Sequence, residues 1–172
     1  LLLGMIFLMR AIVSALLPLS FDEAYYWRWL QHLAAGYWDH PPLIAYVIRL
    51  GTLLFGDSEF GVRFVPLLLS VAATWAIWRA AAIILKSEYA GALAALLYNL
   101  TLMVGIEALV ATPDAPSMTA AAFFLFALAK LVDTDKGYWW LAAGVAGGFA
   151  LLSKYTALFL GAGALVWLLM AS

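Results

Sequence analysis

The chain has 172 residues, 67% of them hydrophobic and only 11% charged, with a formal net charge of −1 and a mean hydropathy of +1.00. A soluble domain is about half apolar and about a quarter charged, and one this small cannot hide so much apolar surface. A soluble enzyme, a disordered chain and a nucleic-acid binder are therefore set aside, and an integral membrane protein remains.

The chain opens on Leu1 inside an apolar run and stops at Ser172 after another, so it reads as the N-terminal part of a longer protein. With no cysteine, disulfide, thiol and thiolate chemistry are not available to it. A membrane helix needs about 20 mostly apolar residues. Residues 1–19 supply the first expected span, interrupted only by Arg10, which is expected to pair with a later helix. The run is long and lacks a basic flank, which favours a span over a signal peptide.

Residues 20–60 have a different character. They hold five of the ten acids, together with Arg28, Arg49, His32 and His40, and are dense in Trp and Tyr. Aromatic rings of this kind prefer the water–lipid boundary. We expect an outer loop with two helices lying on the membrane. The first begins at Ser20, where Ser20-Phe21-Asp22-Glu23 fits a capping box. Tyr26, Trp29, Leu30 and Leu33 then form one apolar stripe, and Gly36 ends the helix. The second follows Asp39-His40-Pro41-Pro42, runs from Leu43 to Phe55 and stops at Gly56.

Further spans are expected at residues 61–85, 89–111, 115–132, 138–153 and 155–171. Their boundaries are Lys86-Ser87-Glu88, Thr112-Pro113-Asp114, Asp133 to Gly137, and a break at Ser153-Lys154. The expected fold class is all-α, a polytopic transmembrane bundle forming one module over residues 1–172. Counting passes brings Asp22, Asp114 and Lys154 out on one face. The opposite loops and their flanks carry Arg79, Lys86, Lys130 and Lys136, which makes that other side cytoplasmic.

Several residues could carry chemistry. Asp22 and Glu23 are adjacent carboxylates that could hold a divalent cation or take a proton from an acceptor. The plain alternative is capping, because Glu23 fits the box and Asp22 suits a positive helix N-terminus. A helix N-terminus favours ionisation, so Asp22 would serve as a base or charge stabiliser rather than an acid. Asp114 follows Thr112, a candidate cap, and Pro113, which suits the first helical position. It reads either as an acid complementing the helix dipole or as a site residue on the side of Asp22.

Asp39-His40-Pro41-Pro42 is a rigid knuckle that would hold His40 in a defined place. The alternative makes Asp39 an N-cap. His32 reads as an interfacial side chain, and the two histidines do not form a metal site. Lys154 stands in an apolar setting, where an ionisable group is a functional candidate. It could hold a phosphate or snorkel to the interface. Arg63 could also bind phosphate, or pair with Asp57 or Glu59. Glu107, seven residues before Asp114, could line the same cavity.

The order of motifs completes the reading. Asp22-Glu23-Ala24-Tyr25-Tyr26-Trp27, Gly36-Tyr37-Trp38-Asp39-His40-Pro41-Pro42-Leu43, Phe60-Gly61-Val62-Arg63, Ala111-Thr112-Pro113-Asp114-Ala115 and Ser153-Lys154-Tyr155-Thr156 follow one another. Together they resemble bacterial GT-C glycosyltransferases, most closely the dolichyl-phosphate-mannose protein mannosyltransferase-like family with its relatives of lipid A aminoarabinose transferase. The resemblance implies a multi-pass enzyme of the bacterial inner membrane with its active site facing the periplasm. It implies a polyprenyl-phosphate sugar donor and a lipid, glycan or protein acceptor, with no nucleic acid involved.

By the same resemblance Asp22, Glu23 and Asp114 are the catalytic candidates, with Asp22 the key carboxylate. His40, Arg63, Lys154, Tyr26 and Asp39 are the substrate-binding candidates, with no metal ligand assigned. A transporter or flippase subunit with an outward polar cavity is the competing reading, although no paired repeat halves are seen. A purely structural subunit would scatter its charges. Reporter fusions after Lys86 and after Pro116 of the full-length protein should report opposite sides of the membrane. The same side for both would break the pass count.

Overall fold

The computed structural model describes residues 1–171; Ser172, the last residue of the expected module, lies outside the described residues. Among the described residues every regular element is helical, as the apolar periodicity requires. The elements are α1 (Leu2–Leu16), α2 (Phe21–Arg28) continued by a 3-10 turn (Trp29–His32), α3 (Leu43–Phe55) and α4 (Glu59–Leu85). They continue with α5 (Glu88–Leu100), α6 (Leu102–Glu107), α7 (Asp114–Thr134) and α8 (Tyr138–Ser153). A second 3-10 turn (Tyr155–Ala157) then leads into α9 (Leu158–Ala171).

α4 and α7 are each long and apolar enough to cross a membrane. At 27 and 21 residues they measure about 40 and about 32 Å at 1.5 Å per residue. α1 and the α2 segment meet that test only as a pair bent by 75°. α4 is the hub, because α1, α3, α5 and α7 all pack on it, and α8 packs on α7. The contacts are made by small residues. Ala73 and Ala76 of α4 meet Ala122 of α7, and Ala127 of α7 meets Ala143 and Ala146 of α8. In lipid the hydrophobic effect does not drive helices together, so close backbone approach through small side chains takes over.

α1 shows the same physics turned outward. Leu2, Met5, Leu8, Met9, Ile12 and Leu16 are exposed, while Arg10 and Ser14 are buried. Arg10 donates to the Asn99 side chain at 2.6 Å and to the Asn99 carbonyl at 3.3 Å. Asn99 in turn donates to Thr74 Oγ1 at 2.8 Å and to the Ala95 carbonyl at 2.9 Å. Three helices are joined by one polar chain, and the later helix expected to meet Arg10 is α5.

Close to that chain the structure departs from expectation. Residues 89–111 do not form one helix. The Asn99 carbonyl, at the end of α5, accepts from Arg10 rather than from the next turn. Thr101 then takes an extended conformation and caps α6, its hydroxyl accepting from the Val104 amide. The remaining breaks fall where the sequence signals them. α3 and α8 keep their expected limits, and Gly56 closes α3 with φ 72°. The first loop helix ends by His32, short of Gly36, because Leu33 turns extended.

α3 and α4 form a tight hairpin around this glycine. A Cβ on Gly51 would collide with the Gly61 carbonyl oxygen, and one on Gly61 with the Gly56 carbonyl oxygen. Both obstacles are backbone, so neither can swing away. Gly51→Ala should therefore lower stability by about 1–3 kcal/mol, read as a drop in Tm of the detergent-solubilised full-length protein. An unchanged Tm would show that the hairpin tolerates a wider separation.

Candidate active site

The site is built around a buried ion pair. The capping box at α2 forms as the sequence indicates: the Glu23 amide donates to Ser20 Oγ at 3.3 Å and the Ser20 amide donates to Glu23 Oε2 at 2.9 Å. The carboxylate then does more than cap. Arg63 Nε donates to Oε1 at 2.6 Å and Nη2 to Oε2 at 2.7 Å, a bidentate fork. The Ala111 amide donates to Oε1 at 3.0 Å. Arg63 spends its remaining donors on the carbonyls of Ser14, Leu17 and Pro18, at 3.1, 2.7 and 2.9 Å. Those groups lie at the C-terminal end of α1, where carbonyls have no partner within the helix.

Glu23 is 0% and Arg63 4% exposed. Neither has a free bonding position facing an open surface. All five Arg63 N–H donors and both Glu23 carboxylate oxygens are thus engaged within the protein. Arg63 also pairs with neither Asp57 nor Glu59; Asp57 instead accepts from Trp27 Nε1 at 3.2 Å. Burial opposes ionisation of Glu23. The Arg63 bonds, the Ser20 and Ala111 amides and the Arg63 charge outweigh it and hold the carboxyl below its ordinary value.

Glu23 and Arg63 deliver the groups that do face outward. Asp22, one residue before Glu23, is exposed in the first turn of α2. Its side chain makes no hydrogen bond or ion pair among the described residues. Asp114 begins α7 three residues after the pinned Ala111 amide. Lys154 sits at the extended break after α8, and its ammonium donates to both Asp114 oxygens at 2.8 Å. The pair is partly buried, with Lys154 30% and Asp114 20% exposed. Lys154 therefore neither snorkels away nor stands alone, and one of its three N–H donors remains free.

The outer loop forms one wall. Tyr37 stacks on Trp29 with ring centroids 3.9 Å apart. Its hydroxyl accepts from the Ala34 amide and reaches the carbonyls of Trp29 and His32. The Tyr37 amide donates to the His40 carbonyl at 3.2 Å, closing the turn and leaving Trp38 at its tip 99% exposed. Asp39 is not the N-cap of α3, a position held by Pro42. It accepts from Tyr25 at 2.6 Å, and that bond, with burial and the carboxylate's charge, pushes the Tyr25 phenol up. His40 meets the buried Tyr26 ring edge-on at 6.0 Å. Burial, with the nearby charges of Asp22, Asp114 and Asp39, pushes the Tyr26 phenol up to about 12.

Asp22, Asp114 and Lys154 gather at one end of the bundle. Thr112, which the sequence marks as a cap, accepts from the Asp114 amide at 3.3 Å. No three His, Asp or Glu side chains among the described residues are grouped to hold a metal ion.

Comparison with known proteins agrees with the motif order. The family model of dolichyl-phosphate-mannose-protein mannosyltransferases matches residues 39–172. The chain belongs to this family, which makes it a membrane protein of the GT-C type. It is 31% identical over 150 residues to the lipid A galacturonosyltransferase RgtD of Rhizobium johnstonii, covering 87% of this chain and 32% of that protein. The chain thus spans about a third of the length of the curated relative it matches. No solved structure matches it.

An acid whose folded value is depressed stabilises the fold above its unfolded value and loses that contribution as pH falls through the lower folded value. For Glu23 the window opens near the ordinary 4.5 and extends below it. The Tm of the full-length protein should fall across that window. Glu23→Gln, by breaking the buried pair, should cost about 3–5 kcal/mol at neutral pH and flatten the acid dependence. Equal acid slopes in the two proteins would remove Glu23 from this role.

Proposed function

We propose that the full-length protein is a bacterial inner-membrane glycosyltransferase. It moves a sugar from a polyprenyl-phosphate donor to an acceptor on the periplasmic side, either a lipid A-type glycolipid, another glycan or a protein hydroxyl. One observation carries the reading: an unpartnered carboxylate, Asp22, stands at the same end of the bundle as the Lys154–Asp114 pair in a chain of this family. Similarity to a lipid A galacturonosyltransferase makes polyprenyl-phosphate galacturonate and lipid A the first donor and acceptor to test.

The chemistry follows from charge. As the bond between the anomeric carbon and the phosphate oxygen breaks, positive charge grows on the sugar and the electron pair leaves with the polyprenyl phosphate. Carboxylates offset the first charge, as they do in glycosidases. Lys154, with its free donor, offsets the second. Asp22 accepts the proton of an attacking hydroxyl. If the acceptor is already a phosphate anion, Asp22 stabilises charge instead. Tyr26 offers a hydroxyl that stays protonated, while His40 and Asp39 line the outer wall as substrate contacts. A donor arriving from the bilayer suits a site formed where the outer loop meets the first turn of α7. Residues 1–172 contribute the front part of the catalytic module.

Asp22→Asn in the full-length protein should lower sugar transfer at least about 100-fold, the scale of a lost general base, with insertion and Tm unchanged. Wild-type turnover in that variant would sink the assignment.

A further inference from the structure

The connection between α6 and α7, residues 108–113, contains no regular helix, yet it must deliver Asp114 to a fixed place. One anchor is the Ala111 amide on Glu23. The second is Glu107, the last residue of α6. Its Oε2 accepts a close hydrogen bond from the Thr112 hydroxyl. A hydroxyl has one proton and two lone pairs. Because the proton goes to Glu107, the oxygen turns its lone pairs toward the Asp114 amide, which donates to it at 3.3 Å. Glu107 lies within electrostatic reach of Asp114, Lys154 and Asp22. It also lines a crevice with Pro66 and Ser70 of α4, Tyr98 of α5, and Ala115 and Thr119 of α7.

We propose that Glu107 is a positioning residue for the transfer reaction: through the Thr112 hydroxyl it fixes the first turn of α7, and with it the Asp114 carboxylate that holds Lys154. The bond joins the last residue of α6 to the residue two before Asp114. Without it the Thr112 rotor is free, and the first turn of α7 loses a capping oxygen. The inference rests on the site reading above, in which Asp114 and Lys154 face the reacting sugar phosphate.

The test uses the full-length enzyme with polyprenyl-phosphate galacturonate as donor and lipid A as acceptor, beside amide exchange of the segment 108–117. Glu107→Ala and Thr112→Val should each lower kcat about tenfold, the scale of one lost buried hydrogen bond, and leave the donor KM within about twofold. Combined, they should fall no further than Thr112→Val alone, because that variant already removes the bond to Glu107. Glu107→Gln, which still accepts, and Thr112→Ser, which still donates, should stay within about threefold of wild type. Exchange over 108–117 should rise in the first two variants and not in the last two. Wild-type kcat in Glu107→Ala, or additive losses in the double variant, would overturn the proposal, as would unchanged exchange. Wild-type kcat in Asp114→Asn would overturn the site reading itself, whereas an inactive Asp114→Asn beside a normal Glu107→Ala would overturn only the role of Glu107. Should the wild type not turn over this substrate pair, the exchange data decide the positioning role alone.

Discussion

The buried pair of Glu23 and Arg63 is the constraint on which the outer end of this bundle depends. A buried ion pair is tolerable only when nearly every lone pair and N–H finds a partner. Here the carboxylate takes four hydrogen bonds and the guanidinium gives five. The partners come from the end of α1, the start of α2, the first turns of α4 and the loop ahead of α7. Four segments far apart in sequence thereby share one junction. Asp22 and Asp114 inherit their places from it, one by adjacency to Glu23 and the other by proximity to Ala111. Glu23 and Arg63 are buried, whereas Asp22 is exposed and Asp114 and Lys154 are partly so.

Deeper in the bundle a second polar chain does comparable work without a carboxylate. Arg10, Asn99 and Thr74 tie α1, α5 and α4 together. In an apolar surround the alternative for each group is an unsatisfied donor or acceptor, which costs more than in water. Where α4 meets α7 and α7 meets α8 much of the contact is alanine against alanine, which brings backbones close but specifies register poorly. The few polar bonds supply the register. The break between α5 and α6 falls at Thr101, two residues past the Asn99 carbonyl that accepts from Arg10.

Much of this was legible in the sequence because it is local. The capping box at Ser20 and Glu23, the limits of α3 and α8, and the stop at Gly56 rest on residues within a few positions of one another. The grouping of Asp22, Asp114 and Lys154 was expected from counting passes, and the three do lie at one end although residues 89–111 are broken. What could not be read is partner choice across the chain. Glu23 satisfied its local role so well that nothing in the spacing pointed to Arg63, 40 positions on, or to the Ala111 amide, 88 positions on. Arg63 therefore looked like a spare cation. Asp39 was open to reading as a helix cap because the prolines hide where the helix starts; the aromatic wall gave it to Tyr25 instead. Residues 89–111 read as one apolar run because hydropathy does not register that Thr101 turns extended and caps a new helix.

The turn from Tyr37 to His40 divides its obligations unevenly. Tyr37 is stacked and bonded on every side, Asp39 holds Tyr25, and His40 lies against Tyr26. Trp38, between them, is in contact with almost nothing. Backbone shape at this tip is thus decoupled from side-chain identity. Position 38 can change size, charge or aromaticity without unsettling the turn that carries it, whereas its neighbours cannot. It is a display position, a place where the outer surface can be altered while the scaffold beneath stays as it is.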